Sequence, residues 1–327
     1  MDKFIFTYID KDENGIFRDL TSDEAKGIIE YLPSHKIYSG GIMLQIEKAA
    51  LSDRINRRVS VPFKRFFANL EQFNYLDENR YHILMPTTSI GKMSVSYLKK
   101  FKKKHSNVRL YAIVTDSIHA QSPHMDLVRD KLFSDVWDSV LTYDKYDAKE
   151  YHFNWFGYTY YSSFQDIEPA EIDSDIYYVG YNKGNREGLV NEIYQALIHG
   201  GVNCRFDVVS DSPNVNANSS LTYMREKFPY PEVVGKVKSS NCILEILQEN
   251  QQAQSLRYFE AVVYNKKLLT TNPHIAELPF YNGKYMKCFS SMEEIDMAWI
   301  QQKEDIEYGY TGDFSPLHLV EYIEKQL

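Results

Sequence analysis

The chain has 327 residues, 43% of them hydrophobic and 25% charged, with a formal net charge of −8. That length exceeds one ordinary hydrophobic core and predicts two domains of roughly 150 residues each. Residues 1–172 hold 23 Lys/Arg against 24 Asp/Glu, and residues 173–327 hold 14 against 21, so neither half is the basic domain of a nucleic-acid binder.

Lys3–Ile9 reads as a first strand, ended by the turn residues Asp10–Gly15. Ser22–Tyr31 opens with a serine and an acidic first turn, the start of a helix. Gly40-Gly41 introduces a second helix, Ile42–Leu51, with Ile42, Ile46 and Ala49 expected to face inward. A basic segment follows, Ser52–Arg65, carrying Arg54, Arg57, Arg58, Lys64 and Arg65, and then the aromatic run Phe66–Tyr75. Tyr81–Met85 is a buried-type strand closed by Pro86. Ser94–Lys104 is an amphipathic helix with Val95, Leu98 and Phe101 inward and Lys99, Lys100, Lys102, Lys103 and Lys104 outward. Val108–Thr115 is the next strand and ends at Asp116-Ser117. Strand, helix and strand in so short a span mark a parallel β-α-β unit. Leu127–Asp135 is a further helix and Val140–Tyr143 a short strand.

The polar stretch Phe164–Asp175, which contains Pro169 and lacks periodicity, predicts the change of domain. The expected organisation is an N-terminal α/β domain at 1–165, a linker at 166–175, a second α/β domain at 176–315 and a terminal helix within 316–327 that returns toward the first domain.

The second half restarts the pattern with the strand Ile176–Tyr181, the loop Asn182–Arg186 and the helix Glu187–His199. Cys204–Val209 is a strand, followed by the polar loop Ser210–Ser219. Ser220–Lys227 and Pro231–Lys238 are expected helices, and Cys242–Leu247 a third strand. Helix Leu256–Tyr264, strand Leu268–Thr271, strand Lys284–Phe289 and helix Pro316–Lys325 complete the series. The fold class is α/β, with two Rossmann-like domains facing each other across a cleft into which the loops after the strands converge.

Cys204, Cys242 and Cys288 are widely separated and odd in number, so neither a disulfide framework nor a zinc site is indicated. The amino terminus begins a strand rather than a signal peptide, and no apolar run approaches the ~20 residues that span a bilayer. The expectation is a cytoplasmic protein with at most peripheral contact at the inner face of a membrane. The two basic clusters admit three readings: a surface for anionic lipid headgroups, a partner surface, or solvated faces.

Two loops carry the chemistry. Tyr181–Arg186 follows a strand and opens a helix; Gly184 lets backbone approach a ligand, and Lys183 and Arg186 add positive charge beside unpaired helix N–H groups, an arrangement suited to a diphosphate. It is neither a Walker loop nor a GxGxxG fingerprint. In the second loop, Asn250–Ser255 leads into a helix on which Leu256, Phe259 and Val263 share one apolar face while Arg257, Glu260 and Tyr264 lie on its flank. Arg257 and Glu260 suit either an anionic, hydroxyl-bearing ligand or a solvated ion pair worth only ~0.3–0.5 kcal/mol. For acid–base work in the first domain the candidates are Asp116, at a strand end, and His119.

The second half resembles the nucleotide-binding domain of GT-B type bacterial glycosyltransferases of lipopolysaccharide, capsule and exopolysaccharide assembly. The residues that carry the resemblance are Gly180–Arg186, Cys242–Ile246, Asn250–Ala261 and Lys266–Asn272, with Asp144–Tyr151 and Phe314–Glu324 outside them. It implies sugar transfer from a nucleotide-diphosphate donor, uridine-linked, to a glycan or lipid-linked acceptor, with no metal or other cofactor. It further implies Glu260 on the donor ribose and Gln251, Ser255 and Arg257, with Lys183 and Arg186, on the diphosphate. Ser210, Asp211, Tyr230 and Val233 would lie near the nucleobase. The chain departs from the family where Asn250 and Ala253 replace glycines, and where Gln252 stands eight positions before Glu260 in place of a carboxylate. An inactive homologue acting as a partner or regulatory subunit is the alternative.

Overall fold

A computed structural model describes residues 1–8, 15–22, 25, 27–34, 40–52, 55, 69–119, 123–171, 173–182, 186–210, 221–225, 228–248 and 251–326. The chain forms two units, Met1–Ser162 with Phe314–Leu327, and Ser163–Asp313.

The first unit is built on six parallel strands in the order β2-β1-β3-β4-β5-β6. These are β1 (Asp2–Tyr8), β2 (Ile29–Pro33), β3 (Arg80–Pro86), β4 (Val108–Val114), β5 (Ser139–Thr142) and β6 (Asn154–Trp155). Helices α1 (Gly41–Leu51), α2 (Thr87–Gly91), α3 (Val95–Lys104), α4 (Pro123–Leu132) and α5 (Lys145–Tyr151) connect them. The central strands β3 and β4 are apolar along nearly their whole length because helices cover both faces of a parallel sheet. Ser94 caps α3 by accepting from the Tyr97 N–H, and Leu98 and Phe101 are buried as their spacing predicts. Asp144 caps α5 by accepting from the N–H groups of Tyr146 and Asp147.

Two expectations fail here. The helix predicted over Ser22–Tyr31 gives way at its end to strand β2, which pairs in parallel with β1 from Phe4↔Ile29 onward. Non-local pairing along the apolar β1 edge overrides the local helix signal. Helix α1 forms, but Ile42 and Ile46 are 76% and 45% exposed while Glu47, Ala50 and Leu51 are buried, so it is turned the other way from the face its pattern suggests.

The second unit has six parallel strands in the order β12-β11-β10-β7-β8-β9. They are β7 (Ser174–Tyr181), β8 (Cys204–Val209), β9 (Leu221–Met224), β10 (Ser240–Glu245), β11 (Lys267–Thr270) and β12 (Met286–Cys288). Helices α6 (Arg186–His199), α7 (Tyr230–Ser239), α8 (Leu256–Val263) and α9 (Met297–Gln301) pack on it, and α10 (Leu317–Glu324) belongs to the first unit. Counted within the unit, the strand order is 3-2-1-4-5-6, that of a dinucleotide-binding Rossmann sheet. The helix expected at 220–227 is instead β9, whose Thr222 and Tyr223 suit the half-covered edge beside β8.

The unit changes between Ser162 and Ser163, and the polar stretch that follows is pinned to the second unit. The Lys238 ammonium donates to the carbonyls of Phe164, Gln165 and Ile167 at 2.8, 3.1 and 2.7 Å.

Candidate active site

In an open parallel sheet the chain leaves in opposite directions on either side of the point where strand order reverses, and the loops there part to leave a crevice. In the second unit that point lies between β7 and β10, which pair directly through Cys242↔Ile176 and Ile243↔Tyr177. The two loops that sequence chemistry singled out follow these two strands.

After β7, Arg186 opens α6 and its guanidinium reaches the Tyr181 carbonyl at 3.4 Å. Burial pushes up the phenol of Tyr178, and the guanidinium groups of Arg186 and Arg257 both pull it back, so one side chain lies under the influence of both cations. Gly180 makes room for that phenol, because a Cβ there would stand 2.5 Å from the Tyr178 hydroxyl. Lys183 lies outside the described residues. Ser210, at the end of β8, donates its N–H to the Met224 carbonyl and accepts at 3.5 Å from the Asn182 amide. Asp211 also lies outside the described residues.

After β10 the loop is held from below by Glu245, a fully buried carboxylate that closes the strand. Its Oε1 accepts from the Ser255 N–H at 2.8 Å and the Ser255 hydroxyl at 2.7 Å, and its Oε2 accepts from the Thr270 hydroxyl at 2.6 Å. Burial raises its carboxyl pKa despite those three donors. Ser255 in turn caps α8 by accepting from the Arg257 N–H. Sequence reasoning passed over Glu245; the available signal was a lone carboxylate inside the otherwise apolar strand CILEIL. Gln251 is turned onto its own loop, accepting from the Gln248 N–H at 3.3 Å and donating to the Ala253 carbonyl at 3.1 Å.

Arg257 and Glu260 form an ion pair with 2.6 Å between Nη1 and Oε2. It is not the solvated pair that the helix pattern allowed. Glu260 has no exposed side-chain surface and Arg257 keeps only 11%, because every residue of α8 from Tyr258 to Val263 is buried. Tyr230, the first residue of α7, donates its hydroxyl to Glu260 Oε1 at 2.7 Å. Burial drives the Glu260 carboxyl up to about 7; Arg257 and Tyr230 hold it down, and the neighbouring charge of Glu245 pushes the other way. Beneath them Tyr177 donates to Asp207 at 3.0 Å, and Lys236 meets the same carboxylate oxygen at 2.9 Å. Val233 lies buried one turn into α7.

In the first unit Asp116 and His119 follow β4, whereas the reversal of strand order falls between β1 and β3. Asp116 is half-buried near Tyr143 and Tyr160, whose hydroxyl pKa values rise through burial and, further, through the Asp116 charge. His119 is exposed, with Nε2 3.1 Å from Glu150 and 3.2 Å from the Tyr151 hydroxyl. The loop between them rests on Asp147, which accepts the Ile118 N–H at 2.8 Å and whose carboxyl is pushed up to about 6 by burial and by Asp144.

Of the basic clusters, Arg54, Arg57, Arg58, Lys64 and Arg65 lie outside the described residues. On α3, Lys99, Lys102 and Lys104 are tied to Asp135, Asp138 and Glu71 at 2.6, 2.7 and 2.5 Å, which spends much of that helix's charge inside its own unit. Among the described residues no helix is long and apolar enough to cross a membrane, and no cluster of three His, Cys, Asp or Glu side chains is placed to hold a metal ion. A groove of about 490 Å³ lies elsewhere in the second unit, beside Lys238 and Lys266 at the amino-terminal edge of the sheet. It is remote from the strand ends where the chemistry converges.

No family model matches the chain, and no curated protein matches it by sequence. Solved structures do match. The E. coli trehalose-6-phosphate structure bound with UDP-2-fluoro glucose aligns over 99% of this chain and 95% of its own, with 9% identity and a TM-score of 0.54. The OtsA apo structure aligns over 100% and 99%, with 10% identity and a TM-score of 0.51. An alpha-glucosyltransferase in complex with UDP-glucose and DNA containing an abasic site aligns over 92% and 93%, also with 10% identity and a TM-score of 0.51. At such identities the likeness is one of fold. The chain has two Rossmann-like domains and shares the GT-B fold with these proteins.

Proposed function

We propose that the chain is a glycosyltransferase that moves a sugar from a nucleotide-diphosphate donor, uridine-linked, to a glycan or lipid-linked acceptor in surface polysaccharide assembly. It works in the cytoplasm or at the inner face of the membrane, and without a metal ion. One observation carries the reading. At the reversal of strand order in the second sheet, a cation and a fully buried carboxylate stand one turn apart at the start of α8, and Arg186 opens the neighbouring helix. Nothing in the packing of an amphipathic helix calls for a buried carboxylate there, whereas a ribose diol does, and the cation beside it suits a diphosphate.

In this assignment Arg257, Arg186 and Lys183 take the diphosphate through charge-assisted hydrogen bonds of ~1.5–3 kcal/mol each, with Ser255 and Gln251 beside them. These cations matter most as the bond between the sugar and the phosphate oxygen breaks, because negative charge then builds on the departing nucleotide. Glu260 accepts from the ribose hydroxyls, and Tyr230, Val233, Ser210 and Asp211 border the base. The acceptor oxygen forms the new glycosidic bond, and its proton passes to Asp116 or His119.

Thermal-shift measurements with UDP and UDP-sugars test this. Stabilisation by UDP that disappears in Arg257→Ala and weakens in Glu260→Gln supports the donor site, and a melting point that no nucleotide moves refutes it. The inward turn of Gln251, in a loop where the family carries glycines, favours a second reading, that of an inactive homologue. UDP-sugar binding with neither donor hydrolysis nor transfer would decide for it.

A further inference from the structure

The carboxylate assigned to the ribose is already occupied. Glu260 has no exposed side-chain surface; its Oε1 accepts the Tyr230 hydroxyl at 2.7 Å and its Oε2 faces Arg257 at 2.6 Å. A ribose diol can reach neither oxygen until one of these groups leaves. Arg257 can turn toward a diphosphate, where it finds another anion. Tyr230 differs in kind, because its hydroxyl offers Glu260 the same O–H donor that a ribose would bring. It also stands where it can give way: it is the first residue of α7, it is only part-buried, and Pro229 precedes it. Its ring meets that of Phe164 edge-on, 5.3 Å between centroids.

We propose that Tyr230 is a competing donor: its phenol stands in for a ribose hydroxyl in the empty site, and a ribonucleoside diphosphate binds by displacing it from Glu260. Residue 230 then sets donor affinity by opposing it. This rests on the reading of Glu260 as the ribose ligand, and it reverses the sign that a simple base contact at Tyr230 would give. Loss of a contact weakens binding, whereas loss of a competitor tightens it.

The test is calorimetric titration of UDP into the full chain at pH 8, where Glu260 is ionised, for the wild type, Tyr230→Phe, Glu260→Gln and the double variant. Because a hydrogen bond to a charged group is the quantity released, Tyr230→Phe is expected to bind UDP about tenfold more tightly. The gain is expected to vanish in the Glu260→Gln background, since the phenol then competes for no carboxylate. Phenylalanine keeps the ring against Phe164, so a folding defect is not built into the variant. Wild-type binding with an equal or weaker Tyr230→Phe overturns the competing role and leaves the donor site standing. UDP binding by neither form overturns the nucleotide assignment of Glu260 and the competing role with it.

Discussion

Replacing Glu260 by glutamine keeps the shape of the side chain and removes a charge that the fold barely tolerates. The carboxyl is raised from 4.5 to about 7, chiefly by burial. At ~1.36 kcal/mol per pKa unit, ionising it inside the protein rather than in the unfolded chain costs about 3 kcal/mol. The sign follows from linkage. A folded pKa above the unfolded value means that Glu260 gives its full stability below pH 4.5 and loses it as pH rises through 7, with about half gone near pH 6. Arg257 stays charged throughout, and its attraction to the ionised carboxylate is already contained in the Glu260 pKa, so it adds no separate pH dependence. The second unit can be followed alone, because its only tryptophan is Trp299, buried at α9, while Trp137 and Trp155 lie in the first unit. In a Trp137→Phe, Trp155→Phe background, urea unfolding read by Trp299 fluorescence from pH 4.5 to 8 should show Glu260→Gln gaining about 3 kcal/mol on the wild type. Parallel pH profiles would refute the burial-driven shift and the enclosed site that it implies.

Two further expectations use the same reporter. Glu245→Ala strips the acceptor from the Ser255 N–H, the Ser255 hydroxyl and the Thr270 hydroxyl, and should cost about 3–5 kcal/mol of stability in the second unit. A cost under about 1 kcal/mol would mean that Glu245 does not hold the loop. Gly180→Ala drives a methyl to 2.5 Å from the Tyr178 hydroxyl and 2.9 Å from its ring carbon Cζ and should cost about 1–3 kcal/mol, part of it recovered when Tyr178→Phe removes the hydroxyl. Additive losses in the double variant would place the strain elsewhere.

The strands β7, β10 and β11 were legible because a strand covered on both faces is a near-continuous apolar run, and each here is bounded by polar loop residues. Arg257 and Glu260 were legible as a pair because a spacing of three puts side chains on one flank of a helix whatever surrounds it. Edge strands were not. Residues 29–33 and 221–224 carry weak local signals, and the neighbour that turns them into strands is supplied by β1 and β8. The facing of α1 was missed for a related reason: periodicity says that a helix has two faces, and only the sheet decides which is covered.

Sequence by itself therefore determined the α/β class, the restart of the pattern in the second half, and the two loops with their charges, all properties of short segments. Tertiary structure decided that those loops flank the reversal of strand order, because strand order is a relation between segments far apart in the chain. It also decided what Glu260 is. From the helix alone it could have been a solvated partner of Arg257. The packing of α8 and the reach of Tyr230 from α7 take water away from it, and loss of water is what turns a weak surface pair into a carboxyl near neutrality.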